Sequence, residues 1–154
     1  MNTDPSLPAK EKLVMTHGYG GTIIMFWPVM KELSEHYHLI MFDILGMGSS
    51  SRPEFTFENA VDANDFFVGW MEKWRINIGI LNEKFILCGH SFGGYISGHY
   101  TKRYPENIKK LLLLSPFGVP KRTFADHEFE EMYDAQEVPA GRKRPPKFAF
   151  KIVR

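Results

Sequence analysis

The segment Gly89-His90-Ser91-Phe92-Gly93-Gly94 most restricts how this chain can fold. It follows Lys84 to Cys88, which reads as a strand. It precedes a run to Tyr104, small-residue-rich at its start and stopped by Pro105, that reads as a helix. G-x-S-x-G in that setting requires a turn so sharp that the serine hydroxyl stands above the sheet in a strained conformation. Side chains two positions to either side would collide with the turn, and glycine at 89 and 93 removes those collisions. A serine presented in this way is a candidate nucleophile once a base takes its proton, and the oxyanion that its attack creates needs preorganised donors. The backbone N–H of Phe92, at the helix start, is one candidate donor. The plain competitor is a glycine-rich turn that serves only close packing of strand and helix.

The flanking pattern repeats the strand-to-helix theme. A short apolar run at 13–16 leads into His17-Gly18-Tyr19-Gly20-Gly21, a strand running into a glycine loop from which the Tyr19 N–H is the second candidate oxyanion donor. Residues 23–33 predict a helix whose regular part begins near Pro28. A second strand, 38–42, ends at Asp43 and a Gly- and Ser-rich loop at 44–53. Phe57, Val61, Val68, Met71, Trp74 and Ile78 fall on one helical stripe, with Gly79 as its stop. The last strand is expected at 108–114. Alternating strands and helices at these spacings predict an α/β fold with parallel strands and right-handed crossovers, whose site lies beyond the carboxyl ends of the strands. Three strand ends carry special residues: 17–21, 43–50 and 89–94.

With 154 residues, 44% of them hydrophobic, the chain supports one domain with a core. Its 19 basic and 18 acidic side chains give no global attraction to nucleic acid, so no nucleic-acid partner is expected. Cys88 is the single cysteine, which excludes an internal disulfide. The polar N-terminal residues and the lack of an 18-residue apolar run argue against a signal peptide or membrane span, so the expected location is cytoplasmic. Gly18-Tyr19-Gly20-Gly21-Thr22-Ile23 lacks the third glycine of a dinucleotide loop, and no Walker loop or metal-ligand cluster occurs, so no cofactor or metal is expected.

Three motifs in order, HGYGG at 17–21, D-x-x-G-x-G-x-S at 43–50 and GHSFGG at 89–94, resemble the alpha/beta-hydrolase superfamily. Within it, DILGMGSSSRP at 43–53 and LLLLSPFGVP at 111–120 resemble the lipid-processing branch that holds the lipid-droplet lipase co-activator and the N-acyl-phosphatidylethanolamine lipases. The resemblance covers residues 12–120. It implies a partial alpha/beta-hydrolase fold: 1–120 a partial core of central parallel strands with crossover helices, and 121–154 the start of a lid or surface segment. It also implies Ser91 as nucleophile, with the Phe92 N–H and an N–H of the His17-Gly18 loop as oxyanion hole, and a small-molecule or lipid ester as substrate. Acyl transfer is a variant. Co-activator members carry asparagine where this chain has Ser91. In the family the triad follows the order serine, acid, histidine, and only His99 and His127 follow Ser91 here. His99 sits inside the helix that leaves the elbow and His127 in the segment expected as a lid, so the acid and histidine are expected beyond residue 154. The edge strands that the family places before residue 12 have no room here.

Other residues carry simpler expectations. His17 braces its loop, His90 packs beside the elbow, Cys88 is a small core residue and Asp43 fixes a turn through nearby backbone N–H groups. The string H-x-x-x-x-D at 38–43 is expected to be chance. An acidic stretch at 126–137 and a basic one at 141–154 with Phe148 and Phe150 read as a surface segment, the basic part a candidate for an anionic membrane. Two functions stand: a serine hydrolase of carboxylic, lipid-type esters, or a noncatalytic truncated hydrolase-like interaction module whose open sheet edges need a protein partner.

Overall fold

The computed structural model describes residues 9–118. The elements run β1 (Lys12–Thr16), a 3-10 turn (Ile23–Phe26), α1 (Trp27–His36), β2 (His38–Phe42), α2 (Ala60–Asn77), β3 (Phe85–His90), α3 (Phe92–Arg103), a second 3-10 turn (Pro105–Asn107) and β4 (Ile108–Leu114). The four strands form one parallel sheet in the order β2-β1-β3-β4. The expected α/β class is therefore the observed one. The 126–137 and 141–154 stretches, with His127, Phe148 and Phe150, lie outside the described residues.

The core has two layers because strand side chains alternate between sheet faces. Leu13, Met15, Ile86 and Cys88 point to one face, where Phe26 and the α1 side chains Met30 and Leu33 cover them. Val14, Phe85 and Leu87 point to the other, against Val68 and Met71 of α2 and Ile96 and Tyr100 of α3. β2 and β4 run over the expected residues. β3 runs two residues past the expected end, because Gly89 and His90 continue the ladder opposite Leu113 and Leu114.

The expected stripe on α2 needs correction. Phe57 precedes the helix, which starts after Asn59, whose side chain accepts the N–H groups of Val61 and Asp62. Val61 is 68% and Ile78 44% exposed, while the buried residues are Phe67, Val68, Met71 and Arg75. The stripe misses Arg75 because hydrophobic periodicity cannot see a buried charge. The Arg75 guanidinium holds Glu72 through two contacts, 2.8 Å from Nε and 2.6 Å from Nη2, and also donates to the Ile80 carbonyl. Tyr100 Oη donates to Glu72 Oε2 at 2.6 Å, and Asn107 Nδ2 donates to Tyr100 Oη at 3.0 Å. This network ties α2, α3 and the lead into β4 together at the end of the sheet away from Ser91.

Arg75 is the main reason that the Glu72 carboxyl titrates below its ordinary range, the Tyr100 hydroxyl adding to it against the opposing effect of burial. A carboxylate lowered in the folded state adds stability above its unfolded value, and that stability fades as pH falls through the folded value. Glu72→Gln should therefore lower stability by about 1–3 kcal/mol at pH 7. Urea unfolding of wild type and variant between pH 7 and 3 should show that gap closing toward the acid end. A gap independent of pH would mean that the charge of Glu72 contributes nothing.

Candidate functional site

Ser91 is the first residue after β3 and caps α3 with φ 50° and ψ −115°. A non-glycine residue at positive φ costs roughly 1–3 kcal/mol and persists only where its surroundings impose it. Backbone bonds impose it here. The Ser91 N–H donates to the Leu114 carbonyl at 3.0 Å, and the Ser91 carbonyl accepts the N–H groups of Phe117 at 3.0 Å and Tyr95 at 3.1 Å. The glycines permit the geometry. A Cβ on Gly89 would lie 2.4 Å from the Gly93 carbonyl oxygen, and one on Gly93 would lie 2.4 Å from the His17 carbonyl oxygen. The N-terminus of α3 thus rests directly on the carboxyl end of β1. Phe92 occupies the first helical position, where an N–H has no acceptor within its own helix. Among the described residues its N–H makes no other backbone hydrogen bond.

The loop after β1 reaches the serine from the side. A Cβ on Gly18 would lie 3.0 Å from Ser91 Cβ and 3.1 Å from His90 Nδ1. His17 is fully buried and uses both ring nitrogens on backbone: Nε2 accepts the Ile44 N–H at 3.0 Å, and Nδ1 lies 2.7 Å from the Gly18 carbonyl. An acceptor Nε2 and a donor Nδ1 assign the neutral tautomer, so the approach of Asp43 Oδ1 to 3.4 Å is not an ion pair. Asp43 instead accepts the Ile23 N–H at 2.7 Å on one oxygen and the Ser49 N–H at 2.8 Å on the other. The carboxylate therefore orders its own turn and also anchors the loop after β1, a link that its position in the sequence does not reveal. Tyr19 is 58% exposed, and its ring stands edge-on to Phe92 with centroids 6.2 Å apart.

The end of β4 is a part of the site that sequence reasoning missed. Leu114 and Phe117 hold the Ser91 backbone, and Pro116 abuts Gly94. The signal was present in Ser115-Pro116 directly after a strand, a turn dipeptide, and among the described residues Ser115 is the other non-glycine residue with positive φ, at 43°. An aromatic wall lies beside the serine: the Phe92 ring meets Phe67 at 5.5 Å and Tyr95 at 6.2 Å, and Phe67 joins Phe55, Phe57 and Phe66.

The other histidines and the cysteine fall elsewhere. His99 bonds Asn64 through Nδ1 at 3.1 Å, about 12 Å along the α3 axis from Ser91 at 1.5 Å per residue. Burial, with Lys102 and Arg103 adding to it, lowers its basicity. His38 opens β2 and Asp43 follows its end, about 17 Å apart at roughly 3.3 Å per residue, so the H-x-x-x-x-D string brings nothing together. Cys88 is 3% exposed, and burial raises its thiol pKa. Among the described residues no group of three or more His, Cys, Asp or Glu side chains could hold a metal.

Two glycines of α3 test the packing argument. Gly93→Ala places a methyl group against backbone and should destabilise by more than about 3 kcal/mol or prevent folding. Gly98→Ala meets nothing within 4 Å and should be neutral or stabilise by about 0.5–1 kcal/mol. Denaturant midpoints check the pair, and equal effects at both positions would contradict the close approach.

Comparison with known proteins agrees with this architecture. The family model described as alpha/beta hydrolase fold matches residues 12–150. A (lyso)-N-acylphosphatidylethanolamine lipase of Bos taurus is 40% identical over 122 residues, covering 79% of this chain and 35% of that protein. The 1-acylglycerol-3-phosphate O-acyltransferase ABHD5 of Rattus norvegicus is 36% identical over 124 residues, covering 80% of this chain and 34% of that protein. The chain thus spans about a third of the length of the curated relatives it matches. Among solved structures, naproxen esterase from Bacillus subtilis is similar with TM-score 0.61 at 29% identity, covering 81% of this chain and 41% of the other. The parallel sheet, the family match and these lipid-processing relatives together place the chain in the alpha/beta hydrolase fold family.

Proposed function

We propose that this chain carries the nucleophile and oxyanion-binding groups of a serine enzyme acting on carboxylic esters of lipids, by hydrolysis or by acyl transfer. The observation that carries this reading is Ser91 itself, held at φ 50° by backbone bonds from β4 and its following turn. Strain of this kind persists when the structure around it over-determines it, and it concentrates at reactive groups. Ser91 Oγ attacks the acyl carbon and forms a C–O bond, the ester C–O bond to the alcohol breaks, and the serine proton passes to a base and on to the leaving alcohol. The N–H groups of Phe92 and Tyr19 hold the oxyanion, and Gly89, Gly93, Gly18 and His17 keep elbow and loop in register.

The base is a histidine outside residues 9–118, with an acid to orient it. Among the described histidines, His17 is committed to backbone on both nitrogens, His99 lies two turns down α3, His36 and His38 sit at the opposite end of the sheet, and His90, beside the elbow, has its buried Nδ1 against Gly18 with no hydrogen-bond partner, Ser91 included. Lipid esters are the favoured substrate class because of the apolar surroundings of Ser91 and because the relatives named above include a lipase and an acyltransferase of phospholipid-type substrates. Hydrolysis and acyl transfer share the acyl-serine step and differ in the acceptor, water or an alcohol. Work at a lipid surface, peripheral to a membrane or lipid droplet, belongs to the same proposal.

One observation favours a noncatalytic interaction module instead. Leu112, Leu113 and Leu114 on β4, which ends the described sheet, are 44%, 39% and 43% exposed, an apolar strand of the kind that invites a protein partner. A fluorophosphonate probe separates the readings. Carried in a chain that supplies the base and the acid, Ser91 should be labelled, and Ser91→Ala should abolish labelling and lower ester turnover about a thousandfold or more. A folded chain left unlabelled would favour the interaction module.

A further inference from the structure

Between Lys12 and Lys31 the chain has no Asp, Glu, Lys or Arg. Such a stretch is ordinary inside a core, yet half of this one is on the surface. Tyr19 is 58% exposed, Ile24 65%, Met25 44%, Trp27 71% and Val29 43%, while Phe26 alone turns inward at 6%. These five side chains come from the loop after β1, the 3-10 turn Ile23–Phe26 and the first turn of α1. They sit at the carboxyl end of the sheet, the end that carries Ser91. The patch is continuous with the site: the Tyr19 ring meets Phe92, the residue after the serine, and the Gly20 N–H meets Met47 Sδ at 3.3 Å.

Solvent-facing aliphatic side chains cost free energy unless something covers them, and a cluster of this kind marks a contact surface. We propose that residues 19–29 dock on a lipid surface, Ile24 and Trp27 entering the boundary between headgroups and acyl chains, so that Ser91 meets its substrate without passing through water. Three features select lipid over a protein partner. The exposed side chains come from one loop, one 3-10 turn and the first turn of a helix, close together in the chain, so that they can enter a deformable medium together. The combination of Trp and Tyr with aliphatic residues is the one that settles at a membrane interface. No charged group within the stretch has to be desolvated on insertion, and none is there to set a register with a partner. The proposal rests on the lipid-ester reading for its occupant but not for its test, since docking requires no turnover. It also places membrane contact on this turn, apart from the basic stretch 141–154.

Flotation with phosphatidylcholine vesicles, which carry no net charge, tests the idea on the full chain. Wild type should float with the vesicles, with tryptophan emission shifted to the blue, and Ser91→Ala should float equally. Ile24→Ser combined with Trp27→Ser should lower partitioning at least tenfold. The double variant should keep the wild-type unfolding midpoint and soluble fluorophosphonate labelling, because both side chains are exposed and neither belongs to the catalytic groups. Vesicle binding without labelling of Ser91 would remove the catalytic reading and leave the docking surface in place. Wild type that stays with the aqueous phase, or a double variant that floats within twofold of it, overturns the proposal. So does binding confined to anionic vesicles and abolished by salt, which would transfer the contact to 141–154. A dimer abolished in the double variant, with no vesicle binding in wild type, would make the patch a protein interface.

Discussion

The contact of the α3 backbone with the end of β1 sets the rest of this structure. At Gly93 a Cβ would sit 2.4 Å from the His17 carbonyl oxygen, and at Gly89 it would sit 2.4 Å from the Gly93 carbonyl oxygen. Strand, turn and helix can meet this closely only where no side chain intervenes, and once they meet, the φ of Ser91 is no longer free. The Leu114 carbonyl and the Phe117 N–H close the arrangement from the far strand. Glycine supplies the space and backbone hydrogen bonding supplies the force that holds the strained residue.

From that contact the surrounding loops follow. His17 is buried under the elbow, and its ring joins the ends of β1 and β2 by bonding Gly18 and Ile44. Asp43 carries the tie onward to Ile23 and Ser49, and Gly48 at φ 52° comes close enough to the Asp43 carboxylate that a Cβ would overlap it at 2.1 Å. Two side chains that look catalytic in isolation, a histidine and an aspartate 3.4 Å apart, are occupied in positioning backbone. That leaves Ser91 with the Gly18 backbone close to its Cβ and with the Phe92 ring, packed on Phe67 and Tyr95, next to it in the chain, surroundings in keeping with the proposed role.

Much of this was legible in the sequence where local chemistry and tertiary need coincide. β2 and β4 follow from apolar runs, the turn at Ser91 from its glycines, and the stop of α2 from Gly79, which adopts φ 81°. Legibility failed where a residue's role depends on a distant partner. The apolar stripe on α2 included Val61 and Ile78, which face solvent, and omitted Arg75, which is buried because Glu72 and the Ile80 carbonyl satisfy its guanidinium. The end of β4 announces a turn through Ser115-Pro116, but that dipeptide does not tell that Leu114 and Phe117 hold Ser91 in place. Asp43 was readable as a turn former, but its bond to Ile23 spans 20 residues and follows only from the neighbouring positions of β1 and β2 in the sheet.

The account's central claim is that this geometry presents Ser91 to an acyl carbon, and the acyl-serine adduct is its most direct signature. The measurement is mass spectrometry of the Ser91 peptide after a chain that also supplies the base and the acid is mixed with a long-chain monoacyl lipid ester and quenched in acid. The account predicts an increase of one acyl group on that peptide, lost in Ser91→Ala. A folded chain whose Ser91 peptide keeps its unmodified mass while ester is consumed would contradict it.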